Sequence, residues 1–232
     1  MNIILLGAQA SGKGTQAELL TRAFGLPHIS SGDLFREEIA RHTILGYKMQ
    51  GYIERGALVP DTLTVAIVLR RLQKPDCQHS ALLDGFPRTH AQARALDQGI
   101  AARGKQIDAV VSLEVTQAEL LRRIAGRFLC QAHQHIYNIH SSPPKVPGIC
   151  DLDGSKLSQR ADDQGEAAQQ RLNIFFTQTV RLLDYYGAQG KVIKVNGEQA
   201  VEKVHQAIAS GLSKLVTGQK TVHALITVGS TN

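Results

Sequence analysis

The stretch Gly7-Ala8-Gln9-Ala10-Ser11-Gly12-Lys13-Gly14-Thr15 lies directly behind the apolar run Ile3-Ile4-Leu5-Leu6 and directly ahead of a helical pattern from Gln16 to Phe24. A strand that enters a glycine-rich turn and then a helix leaves several backbone N–H groups without partners. They face one concavity at the positive end of the helix dipole. The chemistry predicted here is a phosphate cradle. Lys13 adds a mobile charge for the β- and γ-phosphates of a nucleoside triphosphate, and Thr15 a hydroxyl near the accompanying metal. In the strict phosphate-loop pattern the hydroxyl residue follows the lysine directly, whereas Gly14 intervenes here. A flexible glycine turn with a chance lysine is the plainer alternative, and the flanking strand and helix weigh against it.

Moving outward, Leu26 to Ser30 reads as a short strand, with Ser31 placed to cap the next helix and Asp33 to complement its dipole. A second short helix is expected from Gly46 to Arg55, and Gly56 to Pro60 as an extended loop. Asp61 then caps a helix that ends at Pro75. Ala81-Leu82-Leu83 reads as a buried parallel strand, which puts Asp84 at the carboxyl end, where ligands bind in open α/β sheets. Thr89 opens a helix to about Arg103, Asp108 to Val115 is a strand, and Thr116 with Glu119 forms a capping box. Phe128 to Asp163 has prolines, histidines, two cysteines and no helical period, and reads as an irregular insertion of short strands. A long polar helix is expected from Asp162 to about Tyr186, a strand from Lys191 to Val195 and a closing helix from Glu198 to Leu215. The segment 216–232 reads as a frayed tail, or as an added strand at His223 to Val228. The alternation predicts an α/β fold with a five-stranded parallel sheet covered on both faces.

The 232 residues suit one domain with an insertion or two. The net charge of +6 is spread along the chain rather than massed in a stripe, which argues against nucleic acid and suits a polyphosphate site. No apolar run has the length of a membrane span and Met1 to Gly7 lacks the features of a signal peptide, so a cytoplasmic protein without membrane partners is expected. Three cysteines do not make a framework of pairs, and Cys77 reads as an inert, half-buried thiol.

The phosphate loop, Ser31-Gly32-Asp33-x-x-Arg36, Leu58-Val59-Pro60-Asp61, Asp84-Gly85-Phe86-Pro87-Arg88-Thr89 and Gln159-Arg160-x-Asp162-Asp163 occur in this order. In this the chain resembles the adenylate kinases, in their long form with a large lid, from Met1 to about Leu215. The resemblance implies the nucleoside monophosphate kinase fold, with a core of 1–29, 60–125 and 164–215. It also implies an AMP-binding region at 30–59, a lid at 126–163 and an extension at 216–232 without a family role. It implies a monomer that catalyses ATP + AMP = 2 ADP with Mg²⁺ and maintains adenine nucleotide balance. Ala10, Ser11, Gly12, Lys13, Gly14 and Thr15 would hold the phosphates of ATP, Arg123 and Arg127 its base and phosphates, and Ile136, Tyr137 and Gln199 its adenosine. On the AMP side stand Ser31, Arg36, Ala57, Leu58, Val59, Gly85, Phe86, Pro87, Arg88 and Gln92, the last reading the adenine edge. Arg160 and Arg171 would clamp the phosphates between the nucleotides, and Asp84 would hold Mg²⁺ through water. The catalytic set is then Lys13, Arg88, Arg127, Arg160 and Arg171. That set suits a transfer that needs in-line placement and positive charge rather than a covalent intermediate.

The family loop usually has proline and glycine where this chain has Gln9 and Ala10, so altered loop flexibility or lower activity with retained binding is expected. Cys130-x-x-His133 and Cys150-x-x-Asp153 are expected to hold a structural Zn²⁺ in the lid, with His135 an alternative to His133. Co²⁺ or Fe²⁺ could fill such a mixed set, and a hydrogen-bonded lid or a Cys130–Cys150 disulfide, the latter disfavoured in a reducing cytosol, are the metal-free alternatives. A kinase for UMP or CMP, and a nucleotide-binding protein that has lost catalysis, are the rival functions.

Overall fold

A computed structural model describes residues 1–228. Five parallel strands form its central sheet: β1 (Asn2–Leu6), β2 (His28–Ser30), β3 (Ala81–Asp84), β4 (Ala109–Glu114) and β8 (Val192–Asn196), in the order β2-β3-β1-β4-β8. β1 is central and buried throughout, as its Ile-Ile-Leu-Leu run requires. Successive strand side chains point to opposite faces. Ile4 and Leu6 therefore join one core with Val68 and Leu72 of α4 (Asp61–Leu72), Leu96 of α5 (His90–Ala101) and Tyr186 of α8 (Leu182–Gly187). Ile3 and Leu5 join a second with Ala17 and Leu20 of α1 (Lys13–Phe24) and Ile208 and Leu212 of α9 (Val201–Val228). Each fully buried Val, Leu or Ile among them contributes roughly 1.5–3 kcal/mol. This two-sided core holds the carboxyl ends of the strands, and the loops that leave them, in fixed relation.

Two excursions rise from that end. The first carries α2 (Ser31–Ala40) and α3 (Ile44–Glu54), which approach so closely that a Cβ on Gly46 would lie 2.3 Å from the Glu38 carbonyl oxygen. The second follows α6 (Gln117–Ala125) and is a three-stranded antiparallel sheet, β6 (Ile136–Asn138), β5 (Arg127–Cys130) and β7 (Leu157–Ser158) in that order.

Several local expectations are corrected. Ser30 rather than Ser31 caps α2, accepting from Asp33 N–H at 3.2 Å, and Ser31 instead donates to the Gly85 carbonyl at 2.8 Å. Pro60 rather than Asp61 occupies the cap of α4, which frees the Asp61 carboxylate for Thr89 and Gln92. Thr116 caps α6, but Glu119 turns to Arg122 and Arg123, and Glu198 accepts from Thr116 N–H at 2.8 Å in its place. The helix expected over Asp162 to Tyr186 is broken into α7 (Gly165–Thr177), a 3-10 turn at Thr179–Arg181, and α8. Thr179 Oγ1 donates to the Arg88 carbonyl at 3.0 Å, a long-range bond that diverts the chain there. No strand forms at His223 to Val228. The proline-free run continues α9 to Val228, since each added helical residue gains a backbone bond. Residues 229–232 of the expected tail lie outside the described residues.

Candidate active site

Hydroxyl side chains cap α2, α3, α5 and α6, at Ser30, Thr43, Thr89 and Thr116. α1 instead opens on Gly12, at φ 96° and with no side-chain cap, so its first N–H groups remain available to an anion. The loop is tightened by Ser11 N–H donating to the Ala8 carbonyl at 3.1 Å and by Lys13 Nζ donating to the same oxygen at 2.8 Å. Ala10 sits at φ 62°, the left-handed region where the family glycine would be at ease.

Burial, together with Arg88, Arg171 and Arg127, lowers the Lys13 ammonium to about pH 8, against the opposing pull of Asp84. Burial would raise the Asp84 carboxyl, but His28, Lys13 and Arg88 hold it below its ordinary value. His28 Nε2 stands 3.6 Å from Asp84, an electrostatic contact too long for a hydrogen bond, and it is drawn upward despite its burial. Burial lowers Arg160 and Arg171 to about 10, with Arg36 acting on the first and Arg88 on the second. Lys13, Arg88, Arg127, Arg160 and Arg171 thus lie together in one strongly cationic place.

Two carboxylates hold this charge together. Asp163 accepts from Arg127 Nε at 2.7 Å and from Arg127 Nη2, and Asp162 accepts from Arg171 Nη1 and lies 4.0 Å from Arg160 Nε. Neither aspartate is assigned a role from sequence, although the Arg160-x-Asp162-Asp163 run is the available signal.

Beside this hub is a cleft lined by Ser31, Arg36, Ala57, Leu58, Val59, Gly85, Arg88 and Gln92, with Asp162 and Arg171 closing it. Phe86 and Pro87 are buried behind it, joined by a cis peptide bond. Gln92 is held by Asp61, which accepts from Nε2 at 2.7 Å, and by Arg88 N–H, which donates to Oε1 at 2.8 Å. A second cleft contains Gly7, Gln9, Lys13, Arg88 and Arg171. Ile136 reaches over the phosphate loop, close enough that a Cβ on Gly14 would lie 3.9 Å from its Cδ1. Tyr137 follows it on the same strand. Strand alternation turns it into the lid, where its hydroxyl accepts from Asp151 N–H at 2.8 Å. Arg123 is held by Glu119 and donates to the Gly197 carbonyl at 3.0 Å, and Gln199 is exposed in the turn that follows.

In the lid, Cys130, His135, Cys150 and Asp153 bring one donor atom each to within 4.8 Å of one another. His133, the ligand expected from sequence, is not among these four. Its ring touches Asp153 at 2.9 Å but is 69% exposed, while its backbone N–H donates to Cys130 Sγ at 3.2 Å. Burial would raise the Cys130 thiol, but donors in the surrounding turns bring it down to about 7, suited to thiolate formation. Two sulfurs, an imidazole and a carboxylate fit a tetrahedral metal of the zinc type.

A parallel sheet whose first loop opens on an uncapped helix N-terminus, a facing cleft and a cluster of arginines between them are the features of a nucleoside monophosphate kinase. Residues 5–191 match the model of the adenylate kinase family. The chain is 44% identical over 217 residues to the adenylate kinase of Bacillus velezensis, covering 92% of this chain and 100% of that one. It is 45% identical over 215 residues to the adenylate kinase of Bacillus subtilis, covering 93% and 99%. To that of Streptomyces avermitilis it is 43% identical over 215 residues, covering 92% and 98%. The chain belongs to the adenylate kinase family. Its activity is the reversible transfer of a phosphoryl group from ATP to AMP, and adenylate kinases use Mg²⁺ with ATP.

Proposed function

We propose that the phosphate loop, residues 10–15, takes ATP and that the cleft from Ser31 to Gln92 takes AMP. On this reading Lys13, Arg88, Arg127, Arg160 and Arg171 hold the phosphoryl group between them. The observation that carries this reading is that Arg127, Arg160 and Arg171 gather on Asp162 and Asp163, with Lys13 and Arg88 close enough to Arg171 to be felt electrostatically. Each arginine now held by an aspartate can turn its remaining N–H donors to phosphate, so the site offers charge already in place. Gln92 keeps one N–H and one oxygen lone pair, the pattern that complements N1 and the 6-amino group of adenine. Arg123, Ile136 and Gln199 lie where the donor base would rest, with Tyr137 supporting the strand that carries Ile136. Mg²⁺ would be held by the nucleotide phosphates, Thr15 and waters oriented by Asp84. It supplies charge neutralisation to the transferring oxygens, while the chain's own residues orient both nucleotides and exclude water.

The core of 1–29, 60–125 and 164–215, the AMP-binding region of 30–59 and the lid of 126–163 act as separate parts in this scheme. Zn²⁺ in the Cys130, His135, Cys150 and Asp153 cluster would staple a lid that buries little apolar surface; Co²⁺ and Fe²⁺ suit the same donors. A cytoplasmic monomer agrees with three unpaired thiols and with one chain supplying every group of both clefts. The roles are tested by kinetics of Gln92→Leu and Arg123→Ala. The reading expects KM for AMP to rise in the first and KM for ATP in the second, by about tenfold each. The reverse pattern would contradict it.

A further inference from the structure

At position 9 this chain departs from the family loop, and Gln9 makes contacts closed to a proline. Its Nε2 donates to the Asp163 carboxylate and lies 3.4 Å from the Asp162 carbonyl oxygen. Both partners belong to the limb by which the chain returns from the lid. The Asp163 side chain is fully buried and already receives Nε and Nη2 of Arg127, while Arg171 Nη1 stands 3.7 Å away. Gln9 is itself buried, and its Oε1 has no hydrogen-bond partner, so the carboxamide is oriented by what its nitrogen gains alone. A proline side chain has no donor for either oxygen.

We propose that Gln9 is a positioning residue that latches the lid's return limb onto the phosphate loop. The latch holds the limb, and through Asp163 the Arg127 of β5, in the place they would take over bound ATP. Part of the ordering that binding demands is then met in the free protein. The latch therefore raises affinity for ATP and slows its departure, with little effect on AMP. This inference rests on the loop being the ATP site.

The test is steady-state kinetics on the full chain with each nucleotide varied in turn, for wild type, Gln9→Met, Gln9→Glu, Asp163→Asn and the double variant Gln9→Met with Asp163→Asn. Methionine keeps the length and loses the donor, and glutamate adds a carboxylate facing Asp163. Gln9→Met is expected to raise KM for ATP about tenfold, the effect of one hydrogen bond to a charged group, with KM for AMP unchanged and kcat equal or higher. Gln9→Glu is expected to raise it further. In the Asp163→Asn background the effect of Gln9→Met should shrink to about twofold or less. Equal rises in both KM values, a fall in kcat alone, or full additivity with Asp163→Asn would overturn the latch. A Lys13→Ala variant that keeps wild-type kinetics would instead remove the reading of the loop beneath it.

Discussion

At the residue scale, Lys13 shows what burial does to a cation beside the phosphate loop. Desolvation and the neighbouring arginines bring its ammonium from 10.5 to about 8. Between those values the unfolded chain holds more protons than the folded one, so this residue makes stability rise as pH climbs through that window. Bound phosphate reverses the balance by favouring the charged form. The expected outcome is a KM for ATP that rises with pH above about 8, approaching tenfold per pH unit. Titrating KM from neutrality to pH 10 checks it, with Lys13→Arg expected to flatten the rise. Ala10 offers a second residue-scale test. At φ 62° it adopts a conformation that costs an L side chain about 1 kcal/mol, so Ala10→Gly is expected to leave stability equal or up to that much higher. Denaturant unfolding measures it, and a loss above about 1 kcal/mol would mean that the methyl group's packing dominates.

At the element scale the sequence was most readable where one segment decides alone. The strand, the glycine turn and the helix behind it needed only Ile3 to Phe24, and Thr89 declared its helix by local chemistry. What escaped were bonds that join distant segments: Thr179 to Arg88, Glu198 to Thr116, Gln9 to Asp163. The lid shows the same limit. Cys130-x-x-His133 is the tidier spacing, yet the strand turn points His135 inward and leaves His133 to solvent. Metal content should therefore survive His133→Ala at about one ion per chain and be lost in Cys150→Ala. That loss should lower the thermal midpoint by about 6–12 °C, as ~3 kcal/mol would in a chain of this size. Atomic absorption and calorimetry read the two effects, and loss of metal in His133→Ala alone would return that residue to the site. The α2–α3 contact makes a separate prediction: a methyl group at Gly46 meets the Glu38 carbonyl, so Gly46→Ala should cost roughly 1–3 kcal/mol and raise KM for AMP more than KM for ATP.

At the scale of the whole molecule, the two faces of one buried sheet fix a rim on which charge of a single sign is gathered. Arg88, Arg127, Arg160 and Arg171 come from four separate stretches of the chain, and Lys13 from a fifth. Asp162 and Asp163 make that gathering tolerable without nucleotides. The parts of this site that carry recognisable runs were legible in sequence. The Asp162-Asp163 run was legible as a motif, but not which arginine each carboxylate holds, because those pairs join segments distant in the chain.

The central claim is that this cationic rim moves phosphate from ATP to AMP. The most direct measurement is ADP formation from ATP and Mg²⁺ with AMP, CMP, UMP or GMP as acceptor, in the wild-type chain and in Lys13→Ala. The structure predicts fast turnover with AMP, weak or no turnover with the other three, and a loss of about 10³-fold in the variant. Nucleotide binding without transfer to any acceptor, or transfer that survives in Lys13→Ala, would contradict it.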